Sequence, residues 1–396
     1  MFPLVALGDI VYPATGSKNP SLNPNKSFWY VDVAAIDNKA KIIVGAKKLI
    51  GAEAPSRARK LIRANDILVS TVRPILNAVS LVPPVLDGEV ASTGFCVLRA
   101  TPDVLPEYLF FFVRSQRFTQ NLSQLVVGAM YPAVSDKQIL AQILPLPPLD
   151  EQRRIVDILS RAEGIVRLRR EAQKKTAELI PALFLDMFGD PVTNPKSWPT
   201  LAVGDFVARF EGGKNVQSGE DGESEFRILK VSAVTSGNYI ETEAKPAPLG
   251  YTPPNSYFIK EGDLLFSRAN TEQLVGATAL VESTNGKTLL PDKLWRFVWK
   301  DNVPVASSYV RAVFQNPNVR TMLSRIASGT SGSMKNISQK KLFEVSIPFA
   351  PYPRQLDFEN KAQLVRSIAS QQSIAMQKAE ATFNALLAKP FRNRNY

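Results

Sequence analysis

The strongest constraint on how this chain folds is that it is built twice. LPLPPLDEQRRIVDIL begins at Leu144, and IPFAPYPRQLDFENKAQLV begins at Ile347. With Pro145 placed on Pro348, Pro148 falls on Pro351, Gln152 on Gln355 and Ile155 on Phe358; upstream, Ser135 meets Ser338 at the same offset. NDILVS (65–70) matches GDLLFS (262–267), which aligns Asp66 with Asp263, and LGD at Leu7 matches VGD at Val203. Several matches in one order, at nearly constant offsets, define a unit used twice. That unit is a globular segment, a proline-rich hinge and a long helix.

The globular segments read as α+β. Short β-branched runs at 41–44, 67–72 and 294–299 predict strands, separated by Gly, Pro, Asn and Ser clusters. Helical character is expected at 107–125 and 307–326.

The long helices carry seams. Ile155, Ile158, Ala162, Ile165, Ala172, Leu179 and Leu183 recur at spacings of three, four and seven, with Arg169 and Thr176 at weaker seam positions. Basic and acidic residues lie between them. Pro148 precedes the pattern, Gly189 and Pro191 end it, and Pro181 inside it predicts a kink or break. The second copy runs from about residue 354 to 388, with Phe358, Val365, Ile368, Gln372, Ala375, Ala379, Thr382 and Leu386 as its seam. One apolar stripe cannot stay exposed. Either each helix packs on its own globular segment, or the two seams pair antiparallel. The shared phase favours pairing, which would relate the two halves by a pseudo-twofold axis.

Composition excludes several chemistries. The chain has 396 residues, enough for two sizeable cores. It has no histidine, so no imidazole base or ligand, and a single cysteine, Cys96, so neither an internal disulfide nor a multi-cysteine zinc site. A net charge of +12 favours a polyanionic partner. The first residues, MFPLVALGDI, do not resemble a signal peptide, and the most apolar run, 109–113, is far short of a membrane span. A soluble, cytoplasmic protein with no membrane partner is expected.

Catalytic motifs are incomplete. An adenine-methylating loop needs a polar residue, two prolines and an aromatic; TPPN at Thr252, VPPV at Val82 and LPPL at Leu146 lack one or both ends. FEGGK at Phe210 is a poor cofactor loop. Gly286, Lys287 and Thr288 fit only the end of a phosphate-binding loop, because Val281 stands where its first glycine belongs. PDK at Pro291 is too short for a metal-dependent nuclease. No catalytic residue, metal ligand or bound cofactor is expected on this chain.

The hinge and helix LPLPPLDEQRRIVDILSRAEGIV, followed by LFLDMFGDPVTNPKSW, resemble the central conserved region of type I restriction-modification specificity subunits. VSIPFAPYPRQLDFENKAQLV resembles a diverged distal copy, and NDILVS and GDLLFSRAN resemble a motif of that family's target recognition domains. The resemblance implies two such domains (1–148 and 190–351), each reading half of a bipartite site in double-stranded DNA. It also implies two long spacer helices (149–189 and 352–393) that pair as a coiled-coil ruler. Two methyltransferase subunits carrying S-adenosylmethionine would dock, and motor-nuclease subunits using ATP and magnesium would join them. Gln152, Ile155, Ile158, Ala162, Ile165, Gln355, Phe358, Val365 and Ile368 are then expected at the helix seam or the docking surface. The second copy departs from the pattern at Arg354 and Ala350, which puts equal docking at both ends in doubt.

Candidate DNA contacts follow from residue type. Phosphate contacts want Lys and Arg, while base edges favour Arg on guanine and Asn on adenine. In the first half these are Lys18, Asn19 and Lys26 before the aromatics 28–30, the run Arg57, Arg59, Lys60 and Arg63, then Arg73, and Tyr131 in GAMYP. A solvated helix face explains the 57–63 run nearly as well, and the aromatics read as core. In the second half they are Lys214 and Asn215, Arg268 and Asn270 after the GDLLFS strand, and Ser331, Ser333, Lys335 and Asn336 in SGTSGSMKN. Two other functions stay open: a stand-alone nuclease or type II-like specificity protein with an unrecognised site, and a scaffold that binds no nucleic acid.

Overall fold

In a computed structural model, residues 2–13, 16–126, 132–220, 224–329 and 334–392 are described. Two compact units divide the chain: residues 1–171 with 374–396, and residues 172–373. Both mix helices and strands.

The first unit opens with strand Leu4–Ala6, which pairs antiparallel with Ile143–Pro145 just before the first hinge. Between them lie a four-stranded sheet in the order Lys47–Ile50, Ser27–Val31, Val90–Ser92, Ala58–Leu61, and a three-stranded sheet in the order Phe95–Leu98, Ile67–Ser70, Val79–Leu81. Helices α1 (Pro106–Arg114) and α2 (Gln116–Gln124) follow. The helical stretch breaks at Ser115, whose backbone is extended and whose hydroxyl accepts from the Phe118 N–H as the α2 cap. Ser135 caps α3 (Asp136–Leu140) in a reciprocal box with Gln138. Then α4 runs from Leu149 to Phe188.

The second unit repeats the plan. Strand Thr200–Ala202 pairs with Ser346–Pro348 before the second hinge. Short helices α5 (Val203–Phe206) and α6 (Ser232–Thr235) lead to α7 (Ser307–Gln315) and α8 (Pro317–Ile326), separated by the Asn316 cap. Ser338 caps α9 (Gln339–Phe343), and α10 spans Tyr352–Ala388. Its larger sheet has the order Val207–Gly212, Leu294–Trp299, Leu264–Ser267, Thr278–Leu280.

Each core is shared between globular segment and long helices. In the first unit, Tyr108, Phe112 and Phe118 join Ile155, Leu159 and Val166 of α4 and Met376, Phe383 and Leu387 of α10. Phe391 closes this core, its ring 5.4 Å from both Tyr108 and Phe112. Arg114 reaches Glu163 and lies over the Phe383 ring, and Arg170 pairs with Glu380 at 3.2 Å. Position on α4 therefore rises as position on α10 falls. In the second unit, Phe184 and Phe188 of α4 pack on Tyr309 of α7 and Phe358 of α10. Packing on a neighbour helix and packing on the globular segment thus occur together.

Two expectations about the helices need correction. Pro181 neither breaks nor ends α4, which continues for seven residues beyond it; Pro181 is itself exposed. One row of the seam also runs one residue later than the heptad reading, although Ile155, Thr176 and Phe358 are buried as expected. Leu159 and Val166 are buried, while Ile158 and Ile165 are exposed, Ile165 at 53%. On α10, Ala362 and Met376 are buried and Ile368 is exposed. Adjacent positions differ by only about 100° around a helix, so a wide apolar face satisfies either phase. Ile158, Ile165 and Leu168 are left as an outward apolar stripe on α4.

Candidate nucleic-acid interface

The repeat is conserved in hydrogen bonds as well as in letters. Gln152 is 0% exposed: its Oε1 accepts from the Leu105 N–H at 2.8 Å, and its Nε2 donates to the carbonyls of Asp103 (3.0 Å) and Pro147 (2.9 Å). Gln355, also 0% exposed, accepts from the Ala306 N–H at 3.1 Å and donates to the Ala350 carbonyl at 2.8 Å. The Tyr108 and Tyr309 hydroxyls donate to the carbonyls of Pro145 and Pro348, each at 2.7 Å. These groups clamp each hinge onto the helix pair of its own globular segment. The two glutamines therefore face inward and present nothing to a docking partner. Arg354 is exposed and Ala350 is buried, so the second hinge keeps the clamp despite both departures.

Each NDILVS-type strand is also anchored by its aspartate. Asp66 is buried and bidentate to Arg99, at 2.8 and 2.6 Å, and accepts from the Arg63 N–H. Asp263 accepts from the Lys260 N–H at 2.8 Å and from Arg296 at 3.0 Å. Burial holds the Asp263 carboxyl above its ordinary pKa despite these donors. The same Arg296 binds Glu211 at 2.6 Å, and burial works against its charge while Glu211 and Asp263 hold its pKa above the ordinary value.

Those anchors hold the start of each strand, and in the second unit the candidate contacts gather past its other end, beyond Ser267. Strand Ala269–Asn270 pairs with Lys335–Asn336. The Arg268 guanidinium is held by three features: Nε donates to the Asp292 carbonyl (2.8 Å), Nη1 donates to the Asn336 side-chain oxygen (3.1 Å), and the group lies 5.5 Å over the Trp295 ring. Asn270 accepts from the Thr271 N–H at 2.8 Å and reaches Ser267 at 3.4 Å. Lys214 and Asn215 are exposed on the loop after Gly213. Gly213 donates to the Pro291 carbonyl, and a Cβ there would stand 1.8 Å from the Leu290 oxygen. Only glycine permits that approach, which brings the 213–215 loop against the segment that grips Arg268. The FEGGK glycines thus serve backbone packing. Nothing local marks Asp292 and Trp295 as supports for Arg268, because they lie 24 and 27 residues away and meet it only through strand pairing.

The first unit disperses its candidates more. The 57–63 run holds strand Ala58–Leu61, which carries Arg59 and Lys60 and is flanked by Arg57 and Arg63, so the helix-face alternative is corrected. Lys18 donates to the Gly88 carbonyl at 2.6 Å, Arg59 to the carbonyl of Ala58, and Lys60 pairs with Asp136 at 2.8 Å. Asn19 caps a turn by accepting from Ser21. Lys26, Arg57, Arg63 and Arg73 are exposed, and Arg73 has a left-handed φ of 48°. Phe28 and Tyr30 are buried in the core and Trp29 is half-buried. Tyr131, Ser331 and Ser333 lie outside the described residues.

Among the described residues, no cluster of His, Cys, Asp or Glu is placed to hold a metal ion, and no helix is long and apolar enough to cross a membrane.

The profile described as the type I restriction modification DNA specificity domain matches residues 8–178. The chain is 26% identical over 274 residues to the type I restriction enzyme EcoEI specificity subunit of Escherichia coli, covering 68% of this chain and 45% of that protein. It is 23% identical over 324 residues to the EcoKI specificity subunit of Escherichia coli K12, covering 77% and 69%. The aligned region thus spans about half the length of the first relative. A solved structure described as concerning complex assembly and conformational transition of the type I R-M system superposes over 99% of both chains, with a TM-score of 0.65 and 29% identity.

Proposed function

We propose that the chain, whose residues 8–178 match the type I restriction modification DNA specificity domain, is the sequence-reading subunit of such a complex and performs no reaction itself. The observation that carries this reading is the cluster of Arg268, Asn270, Lys335 and Asn336, with Lys214 beside it, at the end of an anchored strand. A guanidinium held over an indole and fixed by two acceptors is ordered before it meets a guanine edge, so little entropy is lost on contact. Arg57, Arg63 and Arg73 supply the charge for phosphates at the other half-site.

In this reading the globular segments are two target recognition domains for a bipartite duplex site. Helices α4 and α10 form an antiparallel coiled coil, with a pseudo-twofold axis relating the halves, and set the spacing between half-sites. The outward stripe of Ile158, Ile165 and Leu168 on α4, with Leu364 and Ile368 on α10, receives two methyltransferase subunits. S-adenosylmethionine belongs to those partners, and ATP and magnesium to motor-nuclease partners.

Methylome sequencing of host DNA, with and without this gene, yields both half-sites and the spacer. Arg268→Ala, assembled with the methyltransferase, is expected to lose or relax one half-site while the other stays intact. Equal loss at both half-sites, or methylation or cleavage by the isolated chain, rejects the reading.

A further inference from the structure

The second unit contains a cavity of about 840 Å3 with an uncompensated positive charge. Helices α4, α7, α8 and α10 and the segment 235–238 line it. Its volume falls within the ~300–1,000 Å3 range of small-molecule sites.

Three guanidinium groups reach its wall: Arg311 of α7, Arg320 of α8 and Arg366 of α10. The carboxylate among the lining residues is Glu282, whose Oε1 is 3.1 Å from Arg366 Nε and 3.9 Å from Arg311 Nη1. Three cations against one anion leave about two positive charges. Arg311 is only 8% exposed. Its Nη2 donates to the Gly237 carbonyl (2.8 Å) and the Asn238 side-chain oxygen (3.0 Å), but its Nε has no hydrogen-bond partner. Arg320 donates through Nη2 to the Gln273 carbonyl at 3.1 Å, while its buried Nη1 has none. The buried Thr278 hydroxyl is likewise unpartnered. Burial pushes the Arg311 and Arg320 guanidinium groups down to about 10, and for Arg311 the neighbouring Arg366 adds to the effect. Leaving buried charged donors unpaired is unfavourable, and a bound anion relieves it.

We propose that this cavity binds a phosphate-bearing small molecule through a terminal, doubly charged phosphate group held by Arg311, Arg320 and Arg366. The charge count selects that chemistry. A carboxylate or a phosphodiester carries one negative charge and leaves one cation uncompensated. A terminal phosphate carries close to two at neutral pH, and its oxygens match guanidinium forks. The polar residues Thr235, Ser236, Asn238 and Gln173 line the space beyond. The inference does not depend on which DNA the chain reads.

The test is titration calorimetry and thermal unfolding of the full chain at pH 8, at constant ionic strength, with inorganic phosphate, ATP, acetate and a duplex DNA as separate probes. Saturable binding of phosphate or ATP, with a raised Tm, is expected. Arg366→Gln weakens it by roughly tenfold or more, as loss of a charge-assisted hydrogen bond does. Glu282→Gln, which removes the competing carboxylate, tightens it; a purely structural arginine cluster does not respond in that direction. No saturable phosphate or ATP binding, an equal response to acetate, a response to duplex DNA alone, or affinities unchanged by both variants overturns the proposal.

Discussion

Replacing Gln152 by leucine tests the hinge clamp directly. The substitution preserves side-chain bulk and removes three hydrogen bonds, at 2.8, 3.0 and 2.9 Å. Asp103 is exposed, so its carbonyl can turn to water. The Leu105 N–H and the carbonyl of buried Pro147 cannot do so as easily. Orphaning a buried polar group costs about 1–3 kcal/mol, so two such groups place the loss near 3 kcal/mol. In a unit of about 190 residues that lowers Tm by roughly 6–12 °C. Gln355→Leu orphans the Ala306 N–H and the Ala350 carbonyl, both on buried residues, and is expected to cost a similar amount. Gln152→Glu is expected to be worse than leucine, because it turns a carboxylate toward two carbonyls. Scanning calorimetry measures the shift, and hydrogen exchange at the Leu105 amide localises it. A Tm change under about 2 °C with unaltered Leu105 protection would show that the clamp does not hold the hinge.

The corrected seam separates folding from partner capture. Leu159→Asp buries a charge in the first core and is expected to unfold that unit, whereas Ile165→Asp changes the unfolding free energy by no more than about 0.5 kcal/mol in urea titration. In a pull-down, Ile165→Asp retains the fold but loses the methyltransferase. Phe391→Ala opens a cavity between Tyr108 and Phe112 and is expected to cost about 3–5 kcal/mol by urea titration. Burial pushes the Cys96 thiol up to about 12, so at pH 8 it reacts with thiol reagents only on unfolding. Because the unfolded thiol ionises near its ordinary value, the stability tied to Cys96 is complete below pH 9. It declines as pH rises from there toward 12, and Cys96→Val removes that decline in thermal scans.

Local signals carried the duplicated plan well. The hinge prolines and the strands 67–70 and 264–267 depend on nearby residues, and the structure places them as read; the aligned Ser135 and Ser338 prove to cap equivalent helices. What depends on partners far along the chain was not legible. Leu159 and Ile158 are adjacent and equally apolar, so only the packed core decides which faces inward. The resemblance alone puts Gln152 at the seam or docking surface. Its three acceptors and donors are backbone groups, which leave no trace in sequence. Arg311, Arg320 and Arg366 lie on different helices, and nothing local marks them as one cluster.

The hinge clamp also bears on how such a chain can change. Gln152 and Gln355 bind only main-chain groups of the segments they hold: the N–H of Leu105 or Ala306, and nearby carbonyls. A joint made of backbone atoms is indifferent to the side chains displayed elsewhere on the segment. A globular segment with an entirely different reading surface fits the same socket, provided it brings a helix start at the right place. A segment exchanged at the hinges therefore needs that helix start and the core residues that pack on α4 and α10, such as Tyr108 and Phe112, while its exposed surface is free to differ.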